Sequence, residues 1–193
     1  QNESGVPPSM LTEEHLNSLA GWAASGAEAS ASVLRETHTE DSGLEVRDIR
    51  VTTLSDLSDQ APCFEGECVA GVASRFEGGL CASALLAMDP EDALAWVRSK
   101  PGVADPLEAF VRLGETVQSG IVIEIGAGLG LEMRTENSEL REESVPLILF
   151  GTHAPSDTAV VVVSLLVASG DEVLPVHVYL MIEPKLLGTA LAA

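Results

Sequence analysis

Leu16–Glu36 reads LNSLAGWAASGAEASASVLRE, a run in which nearly every residue is alanine, glycine, serine or a lone bulky side chain. Alanine favours helix, while glycine and serine spread through it allow another backbone to come very close. A helix start stands just ahead of it, with Thr12 as cap followed by Glu13, Glu14 and His15. The same signature returns further on: Leu19, Ser25 and Gly26 recur as Leu113, Ser119 and Gly120, each pair 94 residues apart. Two long small-residue helices in register are therefore expected, the second capped by Asp105-Pro106 and running from Leu107 to about Ile125.

Working outward, each helix is followed by strands. LEVRDIRVTTL (Leu44–Leu54) alternates apolar and polar like a strand with one buried face, and a polar connection, SDLSDQAPCFEGE, follows. CVAGVASRF, the turn Glu77-Gly78-Gly79 and LCASALLAM predict a hairpin that closes on Asp89-Pro90, the start of a helix through Arg98. In the second half, LGLEMRTENSEL and VPLILFGTH (Val145–His153) are each read as holding a strand. AVVVVSLLVAS turns at Gly170-Asp171 into VLPVHVYLMI, and Glu183-Pro184 starts a last short helix. The hairpin end MDPEDALAWV matches IEPKLLGTAL at the same 94-residue spacing. The expectation is one α/β (α+β) domain over 1–193. Its repeat halves are about 11–98 and 104–193, behind a loose lead-in at 1–10, and two long helices cover a mostly antiparallel pseudo-two-fold sheet.

Thirty acidic residues against ten basic ones give a net charge of −20. That field repels phosphate backbones and anionic membranes, so nucleic acid is excluded as a partner class. Few lysines and many carboxylates fit a high-salt, halophilic cytoplasm, where self-repulsion is screened; a GC-rich genome is the alternative source of such a composition. Three cysteines (Cys63, Cys68, Cys81) without a CxxC pair predict no disulfide framework and a reduced, cytoplasmic setting. The longest apolar run, Ala159–Ala168, is far short of a membrane span, and no signal peptide is read.

LAGWAASGAEASASVL, VTTLSDL, MDPEDALAWV and RLGETVQSGIVIEIGAGLG resemble the CheC/CheX/FliY family of chemotaxis phosphatases, and the archaeal CheC proteins in particular. Related in fold is the middle domain of the flagellar switch protein FliM. The resemblance spans about residues 11–193. It implies a duplicated CheC-like fold, no cofactor, and protein partners: the response regulator CheY, the receptor deamidase CheD, or the flagellar switch. In active members each working half carries Glu-x-x-Asn on its long helix. The asparagine positions the water that attacks the aspartyl-phosphate, and the glutamate helps to hold the partner.

This chain departs from that pattern where the chemistry sits. The motif falls on Arg112-Leu113-Gly114-Glu115 in the second half and, by the repeat spacing, on Ser18 and Gly21 in the first. A carboxylate at the water position repels an incoming phosphate, so both sites read as degenerate. Glu14-His15-Leu16-Asn17 is the one Glu-x-x-Asn in the chain, about a turn too early. The helix dipole already accounts for a first-turn acid at Glu14, and Asn17 reads equally as a surface polar residue. Trp22, Arg112 and Glu115 are the candidate partner-binding residues; burial of Trp22 between helix and sheet is the competing reading.

Other motifs give no chemistry. The four histidines (His15, His38, His153, His177) lack ligand spacing, no metal site is read, and His177 is either a satisfied sheet residue or faces a groove. GAGLG (Gly126–Gly130) follows a helix, not a strand, so its expected role is ending that helix. Two functions remain. One is a CheC-type signalling protein with weak or no phosphatase activity; the other is an acidic α/β interaction or structural protein outside chemotaxis.

Overall fold

Helix α1 (Glu13–Thr37) begins where the capping signal places it: Thr12 Oγ1 accepts from the His15 backbone N–H, and His15 Nδ1 accepts from the Thr12 N–H, each at 3.2 Å. His15 thus does what glutamate does in a capping box. In this computed structural model, residues 11–37, 43–60, 68–78 and 82–183 are described, together with the helical Lys185, Leu187 and Gly188. After α1 come β1 (Leu44–Thr53), α2 (Leu54–Gln60), β2 (Ala70–Glu77), β3 (Ala82–Met88) and α3 (Pro90–Arg98). The same order then runs through α4 (Pro106–Gly128), β4 (Arg134–Arg141), α5 (Val145–Phe150), β5 (Ala159–Ser169) and β6 (Glu172–Ile182).

The strands form a single six-stranded sheet in the order β1-β5-β6-β3-β2-β4, with every pairing antiparallel. If β1, β2 and β3 change places with β4, β5 and β6, the order reads the same from the opposite edge. The centre of this symmetry falls in both layers. In the sheet, Leu85 pairs with Tyr179 between β3 and β6. In the helices, a Cβ on Gly26 would sit 2.6 Å from the Gly120 carbonyl oxygen, and a Cβ on Gly120 2.8 Å from that of Gly26. Both pairs are 94 residues apart. The antiparallel helices α1 and α4 therefore cross at backbone distance, which only glycine allows at these two positions. Ser30 ties the crossing by donating to the Thr116 and Val117 carbonyls at 3.0 and 3.1 Å.

The α1/α4 layer covers one sheet face. Leu19, Leu113, Val117, Ile121 and Ile125 are buried there against Val72, Val161 and Val163, each large aliphatic side chain contributing roughly 1.5–3 kcal/mol on burial. Trp96 of α3 meets Phe110 of α4 edge to face, with ring centroids 6.4 Å apart. The opposite face carries α2 and α5 over Leu85, Ala87, Val160, Val162, Tyr179 and Met181.

Two segments differ from expectation. Val145–Phe150 is a helix, not a strand: Val145, Ile148 and Leu149 are buried at helical spacing, Ser144 is the N-cap residue, and proline stands in the first turn. Leu54–Gln60 is likewise helical, burying Leu54 and Leu57. GAGLG ends its helix as expected, although α4 continues to Gly128, and Gly130 takes a positive φ of 77°.

Candidate functional site

The 94-residue equivalence set by the glycine crossing makes Ser18 the counterpart of Arg112, and Gly21 that of Glu115. Both pairs lie on α1 and α4 beside the buried Leu19 and Leu113. Ser18 is half-buried, and Gly21 is exposed with no atom near the position a Cβ would take. Arg112 is exposed and closes in an ion pair on Glu108, one turn back, while Glu115 is half-buried. An exposed pair one turn apart on a helix is worth only about 0.3–0.5 kcal/mol, so the guanidinium stays accessible to a partner. Arg112 also borders a cavity of about 310 Å³ formed with the Lys100–Asp105 connection.

Glu14 and Asn17 are exposed in the first turns of α1. Their equivalents by spacing are Glu108 and Val111. Because α1 and α4 run antiparallel, Glu14 lies roughly 18 Å from the glycine crossing on one side and Arg112 about 12 Å on the other, from the helical rise. One docked surface patch of ordinary size does not have to span both; they belong to opposite ends of the helix pair. Trp22 joins the Glu14 end. It is half-buried, with its indole lying on Gly128 at the C-terminal end of α4, where any Cβ would collide with the ring. It therefore packs between the two helices and still presents an edge to solvent. Around that edge Gly21, Ala24 and Ser25 are exposed on α1, and Ile123, Ala127 and Gly128 on α4.

His177 is half-buried on β6 and shares a hydrogen bond with Ser164 Oγ at 3.1 Å. Burial, and then the nearby Arg50 charge, hold its pKa below the usual histidine value. It reads as a satisfied sheet histidine. Cys68 is exposed just ahead of β2; His38, Cys63, Cys81 and Gly79 lie outside the described residues. Among the described residues, no group of three or more His, Cys, Asp or Glu side chains is placed to hold a metal, and no helix is long and apolar enough to cross a membrane.

On the sheet face opposite α1/α4, a trough of about 310 Å³ lies beside α5, with Arg75, Ser83 and Asn137 along it. A strand arginine preceded by two small residues, in Ala73-Ser74-Arg75, is its trace in the sequence.

No protein-family profile matches this chain, and no curated protein sequence does. Solved structures do. FliY of Thermotoga maritima superposes with a TM-score of 0.66 at 15% identity, covering 94% of this chain and 96% of that one. FliM of H. pylori, solved in complex with FliG, gives 0.61 at 13% identity, over 91% and 99%. The chemotaxis protein CheX of Desulfovibrio desulfuricans gives 0.50 at 12%, over 84% and 99%. With its two long helices crossing over a six-stranded antiparallel sheet, this chain has the fold of the CheC/CheX/FliY family.

Proposed function

We propose that this protein is a chemotaxis or flagellar-switch signalling component that docks a partner protein on the α1/α4 face without hydrolysing the partner's phosphate efficiently. The observation that carries this reading is the pairing of Ser18 and Gly21 with Arg112 and Glu115 at equivalent positions on the two helices. Neither half holds an asparagine amide there to orient water beside an aspartyl-phosphate, and Glu115 adds repulsion toward the phosphate. What remains is an accessible helical surface with Trp22 as a rigid aromatic anchor. The partner is a response regulator of the CheY type, with the deamidase CheD and the flagellar switch as the other candidates. Similarity in fold to FliY, FliM and CheX supports the setting, and FliM's crystallisation with FliG supports a protein as the bound species.

The test is a titration with the CheY-type regulators encoded by the same genome, in high salt, each with and without beryllofluoride activation, alongside a dephosphorylation assay. Binding without acceleration is expected, weakened about tenfold or more by Trp22→Ala, about 1.4 kcal/mol. Acceleration that disappears in the Glu14→Ala/Asn17→Ala double variant would make the first helix a working phosphatase site. Absence of binding to the regulators, CheD and the switch proteins would leave an acidic interaction protein outside chemotaxis.

A further inference from the structure

Among the described residues, the face opposite α1/α4 is covered by the short helices α2 and α5, and the two halves of the chain fill it differently. Across β3, β2 and β4 the residues stand in rows: Ser83, Arg75 and Asn137, then Leu85, Ala73 and Glu139. The matching rows across β6, β5 and β1 are His177, Ser164 and Asp48, then Tyr179, Val162 and Arg50. Tyr179 and Val162 are buried and His177 half-buried, so bulky side chains close that half. In the first half Ser83, Leu85 and Ala73 replace them, and the trough of about 310 Å³ opens beside Ile148 and Leu149 of α5. A six-residue helix spans only about 9 Å, too little to cover it.

Charge and apolar surface converge there. Among the described residues no carboxylate lies within ion-pair distance of the exposed Arg75, although the chain has three acidic residues for each basic one. Arg141, at the rim, is held by Glu143 and Glu139. Leu147 and Phe150 of α5 are 64% and 43% exposed on the same helix that walls the trough. With no carboxylate in ion-pair distance among the described residues, the Arg75 guanidinium, near the exposed apolar side chains of α5, matches an acidic group carried next to a bulky apolar one. The apolar edge of α5 extends the surface beyond what a small acid would cover, which favours a protein segment.

We infer that this trough receives a partner-protein segment in which a glutamate or aspartate adjoins a large apolar side chain. The carboxylate pairs with Arg75, and the apolar group lies past Ala73 toward the exposed Leu147 and Phe150 of α5. The site is on the sheet face away from α1/α4, so it stands or falls independently of the docking proposed there.

Two short probe peptides test it on the isotope-labelled full chain by NMR: leucine and phenylalanine alternating with glutamate, and the same peptide with lysine at each glutamate. General attraction to a chain of net charge −20 favours the lysine peptide, so preference for the acidic one is diagnostic. Expected are amide shifts confined to 73–75, 83–85, 137–141 and 148–152 with the glutamate peptide. Arg75→Ser and Ala73→Val, each copying the residue of the other half, should each weaken binding about tenfold. Preference for the lysine peptide, shifts centred elsewhere, or unchanged affinity in Arg75→Ser would overturn the inference; that variant is at an exposed position and keeps the test valid if Ala73→Val does not fold.

Discussion

At the crossing of α1 and α4 the two halves of the molecule carry the same residue, Gly26 and Gly120, whereas beside the shared leucines they carry Ser18 and Gly21 against Arg112 and Glu115. The second sheet face falls wholly on the divergent side of that contrast. There the equivalent positions differ throughout, with Leu85 against Tyr179 at the centre and Ala73 and Arg75 against Val162 and Ser164 beside it. Where backbone meets backbone, no atom can be added on either side, so the halves stay alike. Where side chains meet solvent or a shallow groove, nothing in the packing holds them together, and each half is free to serve a different surface.

Breaking the shared region should have the largest effect. Gly26→Val places a Cβ 2.5 Å from the Ile121 Cα and 2.6 Å from the Gly120 oxygen, both backbone atoms that cannot swing aside. A loss of about 3 kcal/mol or more is expected by urea denaturation, up to failure to fold. The same type of change in the divergent region should act in the opposite direction. Gly21→Ala meets open space on α1 and should stabilise by about 0.5–1 kcal/mol through helix propensity alone. If both glycines responded alike, the distinction between crossing and surface would be lost.

Smaller effects sharpen the picture away from the helix crossing. Burial and then the Asp89, Glu172 and Glu91 charges raise the pKa of Asp92, so its ionised form is less favourable folded than unfolded. Asp92→Asn should therefore raise the thermal midpoint at neutral pH, by less as salt is added. The smallest effect concerns His177, whose pKa is lowered from 6.5 by burial and Arg50. The unfolded chain binds that proton more readily, so stability is full above about pH 6.5 and declines as pH falls from there toward the lower folded value. His177→Phe should flatten this part of the midpoint-versus-pH curve, and an unchanged slope would remove His177 from the account.

The long helices, the two hairpins and the acidic-Pro helix starts were legible because each has a local cause: alanine content, strand alternation, and an aspartate cap before proline, as at Asp89 and Asp105. α5 was misread because Val, Ile and Leu in a short run suit a strand, while its helical signal rests on three buried positions in six residues. α2 was passed over for a similar reason, its two buried leucines standing among serines and aspartates. The candidate positions on α1 and α4 could be written down from the repeat spacing alone. Trp22 resting on Gly128, Arg112 closing on Glu108, and the trough at Arg75 could not, since each depends on residues brought together from distant parts of the chain.

The strand order also sets a timetable for synthesis. β1 lies beside β5, so Leu44–Thr53 leaves the ribosome before its sheet partner, Ala159–Ser169, has been translated. At usual elongation rates that interval is on the order of ten seconds, and β4 likewise finds its place only against the earlier β2. A nascent first half thus waits with an unfilled strand edge. Glu45, Arg47, Asp48 and Arg50, crowded along β1, make that edge a poor template for any neighbouring chain emerging at the same time.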